Sequence, residues 1–196
     1  MRVIGGYLKG QKILAPTDKS TRPLKDRVRE SIFNIIEHSN NETINLKGAK
    51  ILDLFAGTGS FGIECLSRGA EKVVFFENYH QSNMLLKKNL EKFKLLKKAS
   101  VYQSDSYKLN EEIIFDNKFD IIFLDPPFKD KNIETIIDKI KKKKLANKRT
   151  LLILHRNKKT IDRFSENFLI QREKNYGISK IIFGKLSWYF CSFFFD

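Results

Sequence analysis

Ile51-Leu52-Asp53-Leu54-Phe55-Ala56-Gly57-Thr58-Gly59-Ser60 reads as an apolar strand, a glycine-rich turn and the opening of a helix that runs on from Phe61 to Ser67. Gly57 and Gly59 let the backbone come close to a ligand, and a helix start presents N–H groups that have no intrahelical partner. The glycine pair is read as a ligand-facing turn rather than as a dinucleotide fingerprint. The Gly-Lys-Ser/Thr of a phosphate-binding loop is missing.

The succession of strands and helices after the turn gives it its weight. Lys72-Val73-Val74-Phe75-Phe76 is a second strand ending in Glu77, where α/β nucleotide folds place an acid on ribose hydroxyls. A helix is expected from about His80 to Phe93, then a third short strand, Val101-Tyr102-Gln103, that leads into Ser104-Asp105-Ser106. The apolar run Phe119 to Leu124 is a fourth strand, Asn132 to Lys143 a helix, Thr150 to His155 a fifth strand and Lys158 to Glu166 another helix. Phe168 to about Tyr176 and Ser179 to Gly184 then close as an antiparallel hairpin through Gly177. Strands alternating with helices predict an α/β class, doubly wound, mostly parallel sheet. Asp53, Glu77, Asp105 and Asp125 thus line one rim of it, at the carboxyl ends of four successive strands. Taken singly, each acid reads first as a helix cap or a solvated loop residue, and it is the four in register that mark the rim.

The fourth strand ends in Asp125-Pro126-Pro127-Phe128. Two prolines give up two backbone donors and stiffen the turn. Such a turn can aim the Asp125 carboxylate and the Pro126 carbonyl, both acceptors, into one pocket beside the flat ring of Phe128. An aromatic amine is a poor nucleophile because its lone pair is delocalised into the ring. Two acceptors that take its two hydrogens favour a pyramidal nitrogen and offset the positive charge that develops on attack. The same residues also fit an ordinary strand-to-loop exit, since Asp-Pro forms turns readily.

The 196 residues, 41% hydrophobic, suffice for one full-sized domain with a small appendage. The start, Met1-Arg2-Val3-Ile4-Gly5-Gly6, lacks the apolar core of a secretory signal, so a cytoplasmic protein without a membrane segment is expected. Two cysteines, Cys65 and Cys191, and three scattered histidines make neither a disulfide framework nor a zinc site, and no metal is expected. A net charge of +14 and a pI near 9.7 point to a polyanionic partner, most simply nucleic acid. The run Lys139 to Lys144 reads as an exposed helix end.

Residues 1–45 form a separate stretch. Arg2-Val3-Ile4 and Lys12-Ile13-Leu14 read as a short β-hairpin around Gly5-Gly6 and Lys9-Gly10, and Leu24 to His38 as a helix with an apolar stripe of Val28, Ile32, Phe33, Ile35 and Ile36. Arg2, Lys9, Lys12, Arg22, Arg27 and Arg29 give this stretch an arginine-rich character suited to bidentate phosphate contacts. Residues 46–186 form the ligand-binding domain, and residues 187–196 an aromatic tail.

Asp53 to Gly59, Glu77, Asp105 and Asp125 to Phe128, in this order, resemble the class I S-adenosylmethionine-dependent methyltransferases that modify exocyclic amino groups. Gly5-Gly6, Lys9-Gly10-Gln11-Lys12, Arg22-Pro23, Asp26-Arg27-Val28-Arg29-Glu30 and Tyr176-Gly177 resemble, more narrowly, the bacterial 16S ribosomal RNA guanine-N2 methyltransferases of the RsmD type. The resemblance implies a seven-stranded sheet with a small N-terminal hairpin and helix. It implies that Asp53, Phe55, Ala56, Gly57 and Gly59 line the methionine end of the cofactor, that Glu77 holds the ribose, and that Asp105 with Ser106 contacts the adenine. Asp125 and Pro126 would orient guanine N2 and Phe128 would stack on the base, with 16S RNA or the assembling 30S subunit as partner and a monomeric enzyme. His155-Arg156 stands where the family pattern has an acid. His155 reads as a general base or, lacking an obvious partner, as a structural histidine. Two other readings stay open: an adenine-N6 or cytosine-N4 DNA methyltransferase, and a non-catalytic RNA-binding module on the same fold.

Overall fold

A computed structural model describes residues 1–16, 24–38, 44–109 and 118–188. Helix α1 (Asp26–His38) precedes β1 (Lys50–Leu54), α2 (Ser60–Ser67), β2 (Lys72–Phe76), α3 (His80–Lys92), β3 (Ala99–Tyr102), β4 (Ile121–Leu124), α4 (Ile133–Lys142), β5 (Leu151–Asn157), β6 (Phe168–Tyr176) and β7 (Ser179–Leu186). They form one seven-stranded sheet in the order β3-β2-β1-β4-β5-β7-β6, parallel from β3 through β5, with β7 antiparallel to both its neighbours. This is the α/β architecture that the alternating pattern predicts.

The central strands are buried on both faces, which is why they read as continuous apolar runs. Side chains of alternate residues divide between two cores. Ile51, Val73, Phe75, Ile121, Phe123 and Ile153 pack with α1, α2 and α3, while Leu52, Leu54, Val74, Ile122 and Leu154 pack with α4. Phe61 stacks on Phe123 at 4.0 Å and on Phe33 of α1 at 5.3 Å, so the N-terminal helix shares the first core with the sheet.

Three sequence expectations are corrected. The N-terminal hairpin shrinks to one antiparallel bridge, Arg2 to Lys12, flanked by turns. Backbone bonds from Val3 N–H to Gln11, Gly10 N–H to Val3 and Ile13 N–H to Met1 close it, and buried polar groups of the helices anchor it: Glu64 accepts the N–H groups of Ile4 and Gly5 at 2.8 and 2.7 Å, and Asn89 holds both backbone groups of Leu14. No helix forms over 158–166. That stretch has no apolar stripe, Ile161 is fully out in solvent, and Phe164 folds onto Phe168 at 4.9 Å. Arg29 is the third case. It is 0% exposed, lies on the same face of α1 as Ile32, Phe33 and Ile36, and ion-pairs with Asp26 and Glu64, so its guanidinium is not available to RNA. Arg2, Lys9, Lys12 and Arg27 are exposed, and Arg22 lies outside the described residues, as does the aromatic tail after Trp188.

Candidate active site

The parallel ladder ends together on one rim. Glu77 N–H donates to the Tyr102 carbonyl and Asp125 N–H to that of Leu54, which continues the pairing one residue past the strands and sets both acids at the same level. A cavity of about 510 Å³ opens there, lined by Asp53, Phe55, Ala56, Gly57, Glu77, Asp125, Pro126, Phe128 and His155 among others. This is the carboxyl edge at which open α/β sheets bind ligands.

The turn after β1 shapes one wall. Phe55, Gly57 and Gly59 all have positive φ, at 62°, 57° and 81°. For Phe55 that conformation costs about 1–2 kcal/mol. Its N–H is held by the Ser106 hydroxyl at 3.2 Å and its ring meets Tyr107 edge-on. A Cβ on Gly57 would meet nothing within 4 Å and would enter the cavity, whereas one on Gly59 would stand 2.3 Å from Leu86. Gly62 completes a Gly-x-Gly-x-x-Gly spacing, which corrects the reading of the turn as a glycine pair. A Cβ there would lie 2.2 Å from Phe75, so this third glycine permits close helix–strand packing, as in dinucleotide folds.

Asp53, Glu77 and Asp125 line the cavity. Asp53 is buried and accepts the Gly62 N–H at 3.0 Å through Oδ2, while its Oδ1 has no partner. Burial pushes its carboxyl well above the ordinary range, against the Gly62 hydrogen bond, and the charges of Asp125 and Glu77 push it further. Burial also raises Glu77, opposed by N–H groups of Tyr79, Gly57 and Asn78. An orphaned, desolvated carboxylate oxygen beside two further acids favours a cationic ligand.

The fourth-strand turn is held from β5. Leu124 pairs with Leu154, so one step along Asp125 comes beside His155 with both side chains on the face of Phe123 and Ile153. His155 Nδ1 lies 2.8 Å from Asp125 Oδ1, His155 Nε2 lies 2.9 Å from Ser179 Oγ, and the Phe128 ring stands edge-on to the imidazole at 5.3 Å. Arg156, pointing to the other face, forms an ion pair with Asp162 and donates to the carbonyls of Pro127 and Asp130. In sequence His155 read as a general base or a structural histidine without an obvious partner; its partners, Asp125 thirty residues before it and Ser179 on β7, came from sheet register. Asp105 and Ser106 do not line the cavity: Asp105 closes a turn on the Tyr107 N–H, and Ser106 supports Phe55. Gly59 sits behind the lining, whereas Pro16 and Leu24 of the N-terminal stretch, not singled out by sequence, help form it. Among the described residues no cluster of His, Cys, Asp or Glu could hold a metal, and no helix is long and apolar enough to cross a membrane.

Comparison with known proteins gives a consistent picture. The family model described as conserved hypothetical protein 95 matches residues 1–185. The chain is 32% identical to the "Ribosomal RNA small subunit methyltransferase D" of Haemophilus influenzae, over 91% of this chain and 90% of that one. It is also 32% identical to Bacillus subtilis YlbH, provisionally named an rRNA methyltransferase, over 92% and 96%. A solved Escherichia coli structure, yhhF, provisionally described as a methyltransferase, superposes with a TM-score of 0.80 at 27% identity, covering 95% of this chain and 97% of that one.

Proposed function

The chain belongs to the conserved hypothetical protein 95 family, and from that premise we propose that it is an S-adenosylmethionine-dependent methyltransferase acting on the N2 amino group of a guanine in 16S ribosomal RNA. The observation that carries the reading is the single cavity edge that presents Asp125, Pro126 and Phe128 together with the orphaned Asp53 carboxylate oxygen.

The donor set suits the cofactor. Asp53 Oδ1, buried and unpaired, matches the ammonium of a methionine moiety, and Glu77, already accepting backbone N–H groups, retains acceptor capacity for a ribose hydroxyl. Phe55, Ala56 and Gly57 would lie along it. When bound, S-adenosylmethionine supplies an electrophilic methyl on a positively charged sulfur. A cavity lined by Asp53, Glu77 and Asp125 is complementary to both positive charges.

The chain's own residues prepare the nucleophile. Asp125 and the Pro126 carbonyl each accept one hydrogen of the guanine amino group, which localises its lone pair, and Phe128 stacks on the base. With the cofactor bound, the N–C bond would form as the S–C bond breaks, and the ammonium so produced would shed one proton to Asp125 or water. The exposed Arg2, Lys9, Lys12 and Arg27 lie on the N-terminal stretch whose Pro16 and Leu24 reach the cavity, so RNA phosphates held there would deliver a base to the site.

The test is transfer of labelled methyl from S-adenosylmethionine to 30S particles, naked 16S RNA and unmethylated DNA in parallel, followed by nucleoside mass spectrometry. N2-methylguanosine from either RNA substrate is the expected product. N6-methyladenine or N4-methylcytosine from the DNA would overturn the ribosomal target and keep the amino-group chemistry.

A further inference from the structure

We propose that His155, oriented by Ser179, is a positioning residue for Asp125, and thereby sets which carboxylate oxygen meets the substrate amino group; the inference rests on the reading of Asp125 as the amine acceptor. The contact of 2.8 Å between His155 Nδ1 and Asp125 Oδ1 needs one hydrogen, because two lone pairs at that distance repel. On the other side of the ring, Ser179 Oγ lies 2.9 Å from Nε2. A hydroxyl can donate, so the neutral ring carries its hydrogen on Nδ1, gives it to Asp125 and accepts from Ser179. His155 is 2% exposed and Ser179 1%, so water does not compete for either contact.

The arrangement acts on the acceptor in three ways. Oδ1 of Asp125 is occupied by a charge-assisted hydrogen bond, and Oδ2, with no partner among the described residues, is left to face the cavity. The carboxylate plane is fixed from behind rather than by the substrate, which lowers the reorganisation needed when the amine arrives. The same imidazole also sets the edge of Phe128, so acceptor and stacking face are held by one ring. Parity makes the design possible. His155 pairs with Ile181 across β5 and β7, and Ser179, two residues from Ile181, lies on that same face.

The test combines kinetics with nuclear magnetic resonance of the ring nitrogens. His155→Ala is expected to lower kcat about 10- to 100-fold, the scale for losing one hydrogen bond to a charged group, with KM for both substrates unchanged. His155→Asn, whose amide nitrogen can replace the Nδ1 donor, recovers most of that loss. In an Asp125→Asn background the His155→Ala change causes no further loss, because the histidine acts through the carboxylate. Ring-nitrogen spectra of the unmodified chain, assigned by the loss of one signal set in His155→Asn, should show the Nδ1-protonated tautomer for His155. An Nε2-protonated ring, full additivity with Asp125→Asn, or a loss confined to KM would each overturn the proposal. A chain that shows the Nδ1 tautomer yet forms no methylated nucleoside on any substrate would instead sink the functional reading, leaving the His155–Asp125 geometry standing.

Discussion

Arg29 and Arg27, two residues apart on α1, should respond to substitution in opposite ways. Arg29 is 0% exposed, donates through Nη2 to the Arg2 carbonyl and to Asp26 at 3.0 Å, and stands 3.7 Å from Glu64, which is likewise 0% exposed. Removing one member of a buried ion pair costs about 3–5 kcal/mol because the other charge is left behind. Here Glu64 keeps Arg68 at 2.8 Å and the two backbone N–H groups, and the Asp26 contact is half exposed and adds little, so the lower end applies. Arg29→Ala should therefore cost about 3 kcal/mol, a fall in Tm of roughly 6–12 °C for a chain of this size. RNA affinity of the folded fraction, measured by filter binding well below the new Tm, should stay within about twofold, with an unchanged salt slope. Arg27→Glu should leave Tm within about 2 °C and weaken RNA binding several-fold, because the side chain is exposed. An Arg29→Ala chain with native Tm and a reduced salt slope would refute the burial argument and return Arg29 to the phosphate-contacting set.

Asp125→Ala should abolish turnover while cofactor affinity, read by calorimetry, changes little; retention of the unmodified rate would remove Asp125 from the mechanism. Asp53 should give opposite pH slopes for stability and binding. Its folded carboxyl is raised above the unfolded one by burial, so the folded chain holds a proton that the unfolded chain has shed. Stability without ligand should thus fall as pH rises from about 4 upward, while affinity for S-adenosylmethionine rises over that interval as the proton leaves. Asp53→Asn should raise the ligand-free Tm by at least about 2 °C, flatten that pH dependence and remove cofactor binding. Gly59→Ala should destabilise by more than the roughly 1–2 kcal/mol of its left-handed conformation, because the new Cβ stands 2.3 Å from Leu86; urea unfolding measures it.

Period and punctuation by themselves determined the succession of strands and the rim of acids. Apolar runs buried on both faces read as parallel strands whatever packs on them, and the acids at or next to their carboxyl ends, Asp53, Glu77 and Asp125, are set by the chain's own sequence. Local chemistry also sufficed for the Gly57 to Gly59 turn and for Pro126, whose ring fixes its own φ. Tertiary structure decided the rest, because the deciding partners are remote in sequence. Arg29 sat at helical spacing with Ile32, Phe33 and Ile36, a legible warning, yet its burial depended on Glu64 meeting it from α2. Asp105 stands beyond its strand as expected, but the turn after it directs its carboxylate to the Tyr107 N–H and away from the cavity. The 158–166 stretch has polar residues able to form a helix, and without an apolar stripe nothing stabilises one. His155 acquires its role only because β4 pairs with β5 in one register: a slip of a single residue would turn its side chain to the opposite face and leave Asp125 with no partner.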